Sequence, residues 1–296
     1  MASVLLTGAE GFTGRYVGDA LRQAGYRVLG LVHKNPGQAD HFQADLTDAT
    51  ALRELVGRLQ PDYVIHLAAL AFVAQQDVER FYRVNLFGTL NLLDALIATQ
   101  APVQKVLLAS SANVYGNARH SPVAEATCPA PVNHYAMSKL AMEHMALTRL
   151  DKLPIAITRP FNYTGVGQDE NFLIPKIVAH FKRREPVIRL GNLEVEREFN
   201  DVRMVAQAYL GLLEKLAPGE IVNICSGQGW RLLDILERLE NMSGHHLEIK
   251  VDPGLVRANE VRTLVGSPFK LQAIAGSLPV FTLDQTLEWT LHTQPI

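Results

Sequence analysis

The chain has 296 residues, 48% of them hydrophobic and 20% charged, with a mean hydropathy of +0.05; the length buries a large core and, at roughly 100 to 200 residues per domain, makes one large domain or two smaller ones. Twenty-eight Lys and Arg against 30 Asp and Glu leave a net charge of −2, which excludes binding a nucleic acid by phosphate neutralisation alone, while the apolar content excludes intrinsic disorder. The two cysteines, Cys128 and Cys225, stand far apart in no metal-ligand spacing, which argues against a disulfide framework or a structural zinc; no metal is expected.

At the start of the chain Val4-Leu5-Leu6 is cut off by Thr7-Gly8, short of the apolar run of about 7 to 15 residues in a secretory signal, so this segment is expected to belong to the fold. No stretch approaches the roughly 20 apolar residues of a membrane span, and the expected location is the cytoplasm. Apolar runs at residues 4–7, 27–32, 63–67, 105–109 and 155–159 read as strands covered on both faces, as in a parallel sheet. Helical spacing lies between them, at 14–24, at 78–100 and at 135–151. A further helix carries Leu52, Leu55, Val56 and Leu59 behind an Asp48 N-cap and is closed by Pro61. The alternation predicts an α/β fold, a Rossmann-like doubly wound parallel sheet with helices on both faces. Beyond Pro160 loops lengthen, at 161–171 and 191–200, and a smaller C-terminal lobe is expected. A helix at 203–216 and a strand at 221–224 are expected to return to the first domain. The division is then 1–160 with 201–224 as a dinucleotide-binding domain, and 161–200 with 225–296 as the substrate-binding lobe.

Directly after the first strand, Gly8-Ala-Glu-Gly11-Phe12-Thr13-Gly14 opens a helix. Glycines there let the backbone approach a pyrophosphate, and the helix N-terminus offers unpaired N–H donors. The second strand ends Leu31-Val32-His33-Lys34, without the carboxylate that accepts from the adenosine ribose in many NAD-binding units. With His33, Lys34 and Arg15 nearby, NADP(H) is favoured and NAD(H) remains open. Tyr135-Ala-Met-Ser-Lys139 places a phenol and an ammonium one helical turn apart. The ammonium is expected to lower the tyrosine pKa toward a value useful for giving a proton to a carbonyl oxygen as hydride reaches carbon. Ser110-Ser111-Ala-Asn-Val-Tyr115-Gly116 follows the strand at 105–109, at the carboxyl edge where open α/β sheets bind ligands. Ser111 is preferred as the second hydroxyl and Ser110 is read as structural.

These motifs, with Asp45-Leu46, His66-Leu67-Ala68-Ala69, Asn85-Leu-Phe-Gly-Thr89 and Arg159-Pro160-Phe161-Asn162, resemble the extended short-chain dehydrogenase/reductases that act on nucleotide sugars, over essentially the whole chain. The resemblance implies an NAD(P)-dependent oxidoreductase with Ser111, Tyr135 and Lys139 as catalytic residues. It implies adenine at Asp45 and Leu46, a cofactor channel at Leu67, Ala68 and Ala69 with Asn85 and Pro160 beside it, and Lys139 on the nicotinamide ribose. Asn162 is implied at the substrate diphosphate. Ala112-Asn113 stand where the family's 4,6-dehydratases carry an Asp-Glu pair, so elimination lacks its proton carriers; a 4-keto reductase and a 4-epimerase are left.

In the second lobe Asn171-Phe172-Leu-Ile-Pro-Lys176, Leu190-Gly-Asn192-Leu193, Arg197, Arg257 and Glu260 resemble the nucleotide-binding stretches of GDP-mannose-type enzymes. Arginines there neutralise a diphosphate, and Glu260 accepts from ribose hydroxyls. The run from Arg159 to Gln168 further resembles the reductases of GDP-4-keto-6-deoxy-D-mannose, which implies reduction of the C4 keto group to give GDP-D-rhamnose. The alternatives are a nucleotide-sugar 4-epimerase with tightly bound NAD and, from another class, a non-catalytic dinucleotide-sensing protein, against which the intact Ser111, Tyr135 and Lys139 set argues. His134 reads equally as a sugar contact or an exposed loop residue. A homodimer is expected by resemblance: the helices at 78–100, with Phe81, Val84, Leu92, Leu96 and Ile97, and at 135–151, with Met142, Met145, Ala146 and Leu150, carry apolar surface that serves either a four-helix bundle with a second copy or the core.

Overall fold

A computed structural model describes residues 1–34, 36–71, 77–256 and 259–293. The first half runs β1 (Ser3–Thr7), α1 (Phe12–Gln23), β2 (Arg27–Val32), β3 (His41–Gln43), α2 (Ala49–Leu59), β4 (Tyr63–His66), α3 (Val78–Phe81), α4 (Thr89–Ala98), β5 (Lys105–Ala109), α5 (His134–Leu147) and β6 (Ile155–Pro160). There follow β7 (Tyr163–Thr164), α6 (Leu173–Lys182), β8 (Val187–Leu190), β9 (Glu196–Arg197), β10 (Asn200–Asp201), α7 (Val202–Leu213) and β11 (Ile221–Ile224). The chain closes with β12 (Trp230–Arg231), α8 (Leu232–Ser243), β13 (Glu248–Val251), β14 (Thr263–Leu264), α9 (Phe269–Ala275) and α10 (Leu283–His292).

Among the described residues seven strands form one parallel sheet in the order β11-β6-β5-β4-β1-β2-β3. Side chains of a strand alternate between faces, so Val4 and Leu6 pack with Val17, Leu21 and Val205 under α1 and α7. Leu5 goes to the other face, with Leu52, Leu92 and Met142 of α2, α4 and α5. Each such aliphatic side chain contributes about 1.5–3 kcal/mol by leaving water. The order reverses beside β1, and the crevice at such a reversal is where an open α/β sheet takes its ligand.

The helix expected over 78–100 is interrupted: after α3 the chain makes a wide π-helical turn over Tyr82–Gly88 before α4 begins. Two local features accompany this turn. Asn85 at its centre spends its amide on Leu70 and Ser138, and a Cβ on Gly88 would stand 2.8 Å from Leu46 Cβ. Such turns often sit at functional sites. The helix expected over 135–151 stops at Leu147, and β3, only three residues long, carried no periodic signal.

Helix α7 and strand β11 return to the large sheet, with Ile221 of β11 beside Ile157 of β6. The remaining segments pack α6, α8 and α10 around Ile177, Phe181, Leu236 and Leu287, with β8 pairing β13 and β9 held between β12 and β14.

Candidate active site

The turn from β1 into α1 can be built only with glycine. Gly8 adopts φ 70°, and a Cβ on Gly14 would stand 2.0 Å from the Gly8 carbonyl oxygen. The N-cap of α1 is Gly11, which makes no side-chain cap, so the first-turn N–H groups remain for an anionic ligand. Above this cradle lies a cleft of about 550 Å³ whose walls are the glycine loop, Leu67 to Ala69, Ser110, Ser111, Asn113, Tyr135, Lys139 and Pro160 to Tyr163. A glycine cradle and an uncapped helix start at the floor of an elongated cleft fit a dinucleotide.

On the opposite wall, β5 ends at Ala109 and Ser111 caps the short 3-10 turn that follows, its Oγ accepting from the Asn113 backbone N–H at 3.2 Å and from Asn113 Nδ2 at 3.1 Å. Helix α5 starts at the N-cap Asn133, whose Oδ1 accepts from Ala136 N at 2.9 Å; such a cap contributes about 1 kcal/mol. Tyr135 and Lys139 follow one turn apart on the buried face. Lys139 Nζ donates to the Ala109 carbonyl at 2.7 Å, and Ser138, between them, donates to the Tyr135 carbonyl at 2.8 Å.

The electrostatics differ from the sequence expectation. Burial pushes the Tyr135 phenol up to about 12, opposed by a hydrogen bond from Ser111, with no contribution from the lysine. Burial likewise pushes Lys139 down to about 8, opposed by Glu143. The ammonium is committed to the Ala109 carbonyl, and withdrawal from water governs both groups. His66, between Thr7 Oγ1 at 2.7 Å and Thr89 Oγ1 at 2.8 Å, is pushed down to about 3, by burial first and by Lys139 second, and stays neutral. One turn beyond Lys139, Glu143 takes Arg159 in a buried bidentate pair at 2.9 and 2.6 Å. The guanidinium carbon stands 4.8 Å from the Tyr115 ring centre, so α5 is bolted to β6.

Of the residues singled out by sequence, Gly8, Gly11, Phe12, Thr13, Gly14, Arg15, Leu67, Ala68, Ala69, Ser111, Tyr135, Lys139, Pro160, Asn162 and Phe172 line one cleft. Others lie elsewhere. Asn85 is fully buried and its amide is saturated by Leu70 and Ser138, so it braces the site rather than lining it. His33 and Lys34 are exposed, with His33 Nδ1 3.9 Å from Asp45 Oδ2. Asp45 accepts from Thr47 N and Oγ1 at 2.8 Å, and Leu46 is core.

In the second lobe Asn171 is exposed, its N–H given to Asp169, Lys176 donates to the Arg189 carbonyl at 2.7 Å and Leu190 is buried in the lobe's core. Asn192 is half-buried on the loop after β8. Arg197 binds Glu260 at 3.0 Å and the carbonyls of Glu196, Val261 and Arg262, so the expected phosphate ligand and ribose acceptor hold each other. Arg257 lies outside the described residues. His134 Nδ1 is 3.1 Å from the Tyr82 hydroxyl, exposed and off the cleft wall.

Sequence reasoning missed Tyr163, Tyr209, Phe199, Gln168 and Asp169, all on the cleft wall, and named Asn113 only as a missing carboxylate. Tyr163 meets Thr13 Oγ1 at 2.7 Å and stacks on Phe12 at 6.0 Å. Its place three residues past a strand end was the available signal. Ser110, read as structural, also reaches the cleft, and its buried Oγ has no hydrogen-bond partner among the described residues.

Residues 4–225 match the NAD dependent epimerase/dehydratase family. The chain belongs to that family. Among relatives within or beside the family, the GDP-6-deoxy-D-talose 4-dehydrogenase of Aggregatibacter actinomycetemcomitans is 35% identical over 280 residues, covering 94% of this chain and 93% of that protein. The GDP-6-deoxy-D-mannose reductase of Pseudomonas aeruginosa is 34% identical over 297 residues, covering 96% and 94%. The solved structure of RMD from Pseudomonas aeruginosa complexed with NADPH matches with a TM-score of 0.87 at 32% identity, covering 98% of both chains. Among the described residues no group of His, Cys, Asp or Glu is placed to hold a metal ion, and no helix is long and apolar enough to cross a membrane.

Proposed function

We propose that this protein is an NAD(P)H-dependent reductase that converts the C4 ketone of GDP-4-keto-6-deoxy-D-mannose to GDP-D-rhamnose. The observation that carries the reading is the convergence of Ser111, Tyr135 and Lys139 on one cleft whose floor is the glycine cradle, in a chain whose full-length relatives are named for GDP-6-deoxy sugars. When bound, the reduced nicotinamide supplies the hydride. Tyr135, kept protonated by burial, gives its phenolic proton to the sugar O4 as that hydride reaches C4. Ser111 donates a hydrogen bond to the same oxygen and favours the phenolate left behind, and Lys139, tethered to Ala109, would hold the nicotinamide ribose. The glycine loop, Arg15 and Leu67 to Ala69 take the dinucleotide, with Asp45 and Leu46 at the adenine and NADP(H) preferred to NAD(H). The lobe of residues 161–200 and 225–296 takes the GDP moiety, with Asn162 and Phe172 first in line along the cleft.

A second reading differs only in the face of attack. The talose and mannose configurations are C4 epimers, and the relative named for GDP-6-deoxy-D-talose favours the inverted product. The test supplies GDP-4-keto-6-deoxy-D-mannose with NADPH or NADH and follows nicotinamide absorbance and the product's proton NMR. Large H3–H4 and H4–H5 couplings identify the rhamnose configuration and small ones the talose. Firmly retained, non-exchanging nicotinamide with no net oxidation identifies a 4-epimerase and overturns the proposal.

The enzyme is further proposed to pair with a second copy through Phe87, Met137 and Met145, which are 58, 43 and 43% exposed, while Phe81, Leu92, Leu96, Met142 and Ala146 serve the chain's own core. Light scattering is expected to give twice the 32.7 kDa chain mass, and a monomer at micromolar concentration would sink the pairing.

A further inference from the structure

We infer that Asn113 is a positioning residue that fixes the direction of the Ser111 hydroxyl, and through it the direction in which the Tyr135 proton can travel. This rests on the reductase reading and adds to it a residue that the Ser111, Tyr135 and Lys139 set does not contain.

The argument is a count of lone pairs. A serine oxygen carries two acceptor sites and one O–H donor. In this chain both acceptor sites of Ser111 are taken from one side, by the backbone N–H of Asn113 at 3.2 Å and by its side-chain Nδ2 at 3.1 Å. The N-cap geometry of Ser111, with φ −159° and ψ 146°, sets the backbone bond, and Asn113 adds the second from the same residue. What remains to Ser111 is to donate. Within the protein the group on which Ser111 acts is the Tyr135 phenol, and that action favours the phenolate. With a ketone present the same hydroxyl turns to the ketone oxygen.

The consequence lies on the tyrosine. A Ser111 with an open lone pair would accept the Tyr135 proton as a hydrogen bond and compete with the substrate for it. With both lone pairs filled, Tyr135 has no acceptor in Ser111, and its O–H is left for the sugar oxygen. Both hydroxyls then donate to one oxygen, the arrangement that stabilises the alkoxide forming there. A carboxylate at 113 would do the reverse: it would accept from Ser111, turn its hydroxyl away from the site and place a negative charge beside the phenol. Asn113 lines the cleft wall, so its exchange alters the site without opening the core.

The experiment compares Asn113→Asp and Asn113→Ala with wild type, in the reduction of the 4-keto sugar or in oxidation of the GDP-6-deoxy sugar, whichever the wild type catalyses. Asn113→Asp keeps the shape and reverses the bond; its kcat is expected to fall by more than about tenfold, with the sugar KM within about threefold. Asn113→Ala keeps the backbone donor and frees one lone pair; its kcat is expected to fall by about threefold to tenfold. The order is the signature, since a residue wanted only for its packing would suffer more from truncation to Ala than from the isosteric Asp. An Asn113→Asp enzyme with wild-type kcat would put the amide oxygen, not the nitrogen, on Ser111 and overturn the inference, as would an Ala variant slower than the Asp variant. A wild type that neither reduces the ketone nor oxidises the alcohol overturns the reductase reading instead.

Discussion

At the carboxyl edge of the sheet, Ser111, Tyr135 and Lys139 are each held by a further contact, to Asn113, Ser111 and the Ala109 carbonyl. In the second lobe Arg197, expected at the diphosphate, is bonded to Glu260 and three carbonyls, and Lys176, expected at the substrate, to the Arg189 carbonyl. Ser111 is placed by the end of β5, and Tyr135 and Lys139 by the buried face of α5. A long charged side chain takes the nearest protein partner, and a ligand must compete for it. The first region is therefore held in one arrangement, whereas a ligand entering the second must displace a protein partner.

The sharpest way to break this contrast is at Tyr135. Tyr135→Phe is expected to lower kcat by about 100-fold or more with cofactor binding retained, because a positioned general acid supplies that much; a rate near wild type in steady-state assays would remove the tyrosine from the chemistry. The pH profile tests Lys139 next. Its pKa is lowered to about 8, so the ammonium is present below that pH and lost above it. kcat/KM is expected to fall above about pH 8, approaching tenfold per unit, and a profile flat to pH 10 would contradict the burial of its charge.

Smaller effects belong to residues away from the cleft wall. A double Ala variant of His33 and Lys34 is expected to lose about fivefold in kcat/KM for NADPH with NADH unchanged, the scale of solvent-screened charges; an equal loss with both cofactors would place these residues away from the 2′-phosphate. Arg197→Ala is expected to change the KM for the GDP sugar by less than about threefold while lowering Tm by a few degrees, since it unpairs Glu260 and three carbonyls. A tenfold rise in KM at unchanged Tm would return Arg197 to the substrate.

The sheet was legible because its strands are apolar on both faces, as in residues 4–7 and 105–109, and because the glycines of residues 8–14 have one stereochemical use. That Ser111, Tyr135 and Lys139 share one cleft was legible through a strand end and a helical spacing. Three things were not: the π-helical turn at 82–88, set by what Asn85 and Gly88 touch rather than by local propensity; the height of the Tyr135 pKa, a matter of depth from water; and the pairing of Arg197 with Glu260, since a sequence states that two charges exist and not that they have found each other. Tyr163 and Tyr209 escaped because no period marks a cleft wall.

The buried pair between Glu143 and Arg159 has a consequence for how this chain can change. Either residue replaced alone leaves an uncompensated charge at a site almost closed to water, a loss of about 3–5 kcal/mol out of a total stability of about 5–15 kcal/mol, whereas replacing both by apolar residues of similar volume is often neutral. Positions 143 and 159 therefore drift as one locus: libraries that vary them singly will return the starting residues, and libraries that vary them together will admit new ones.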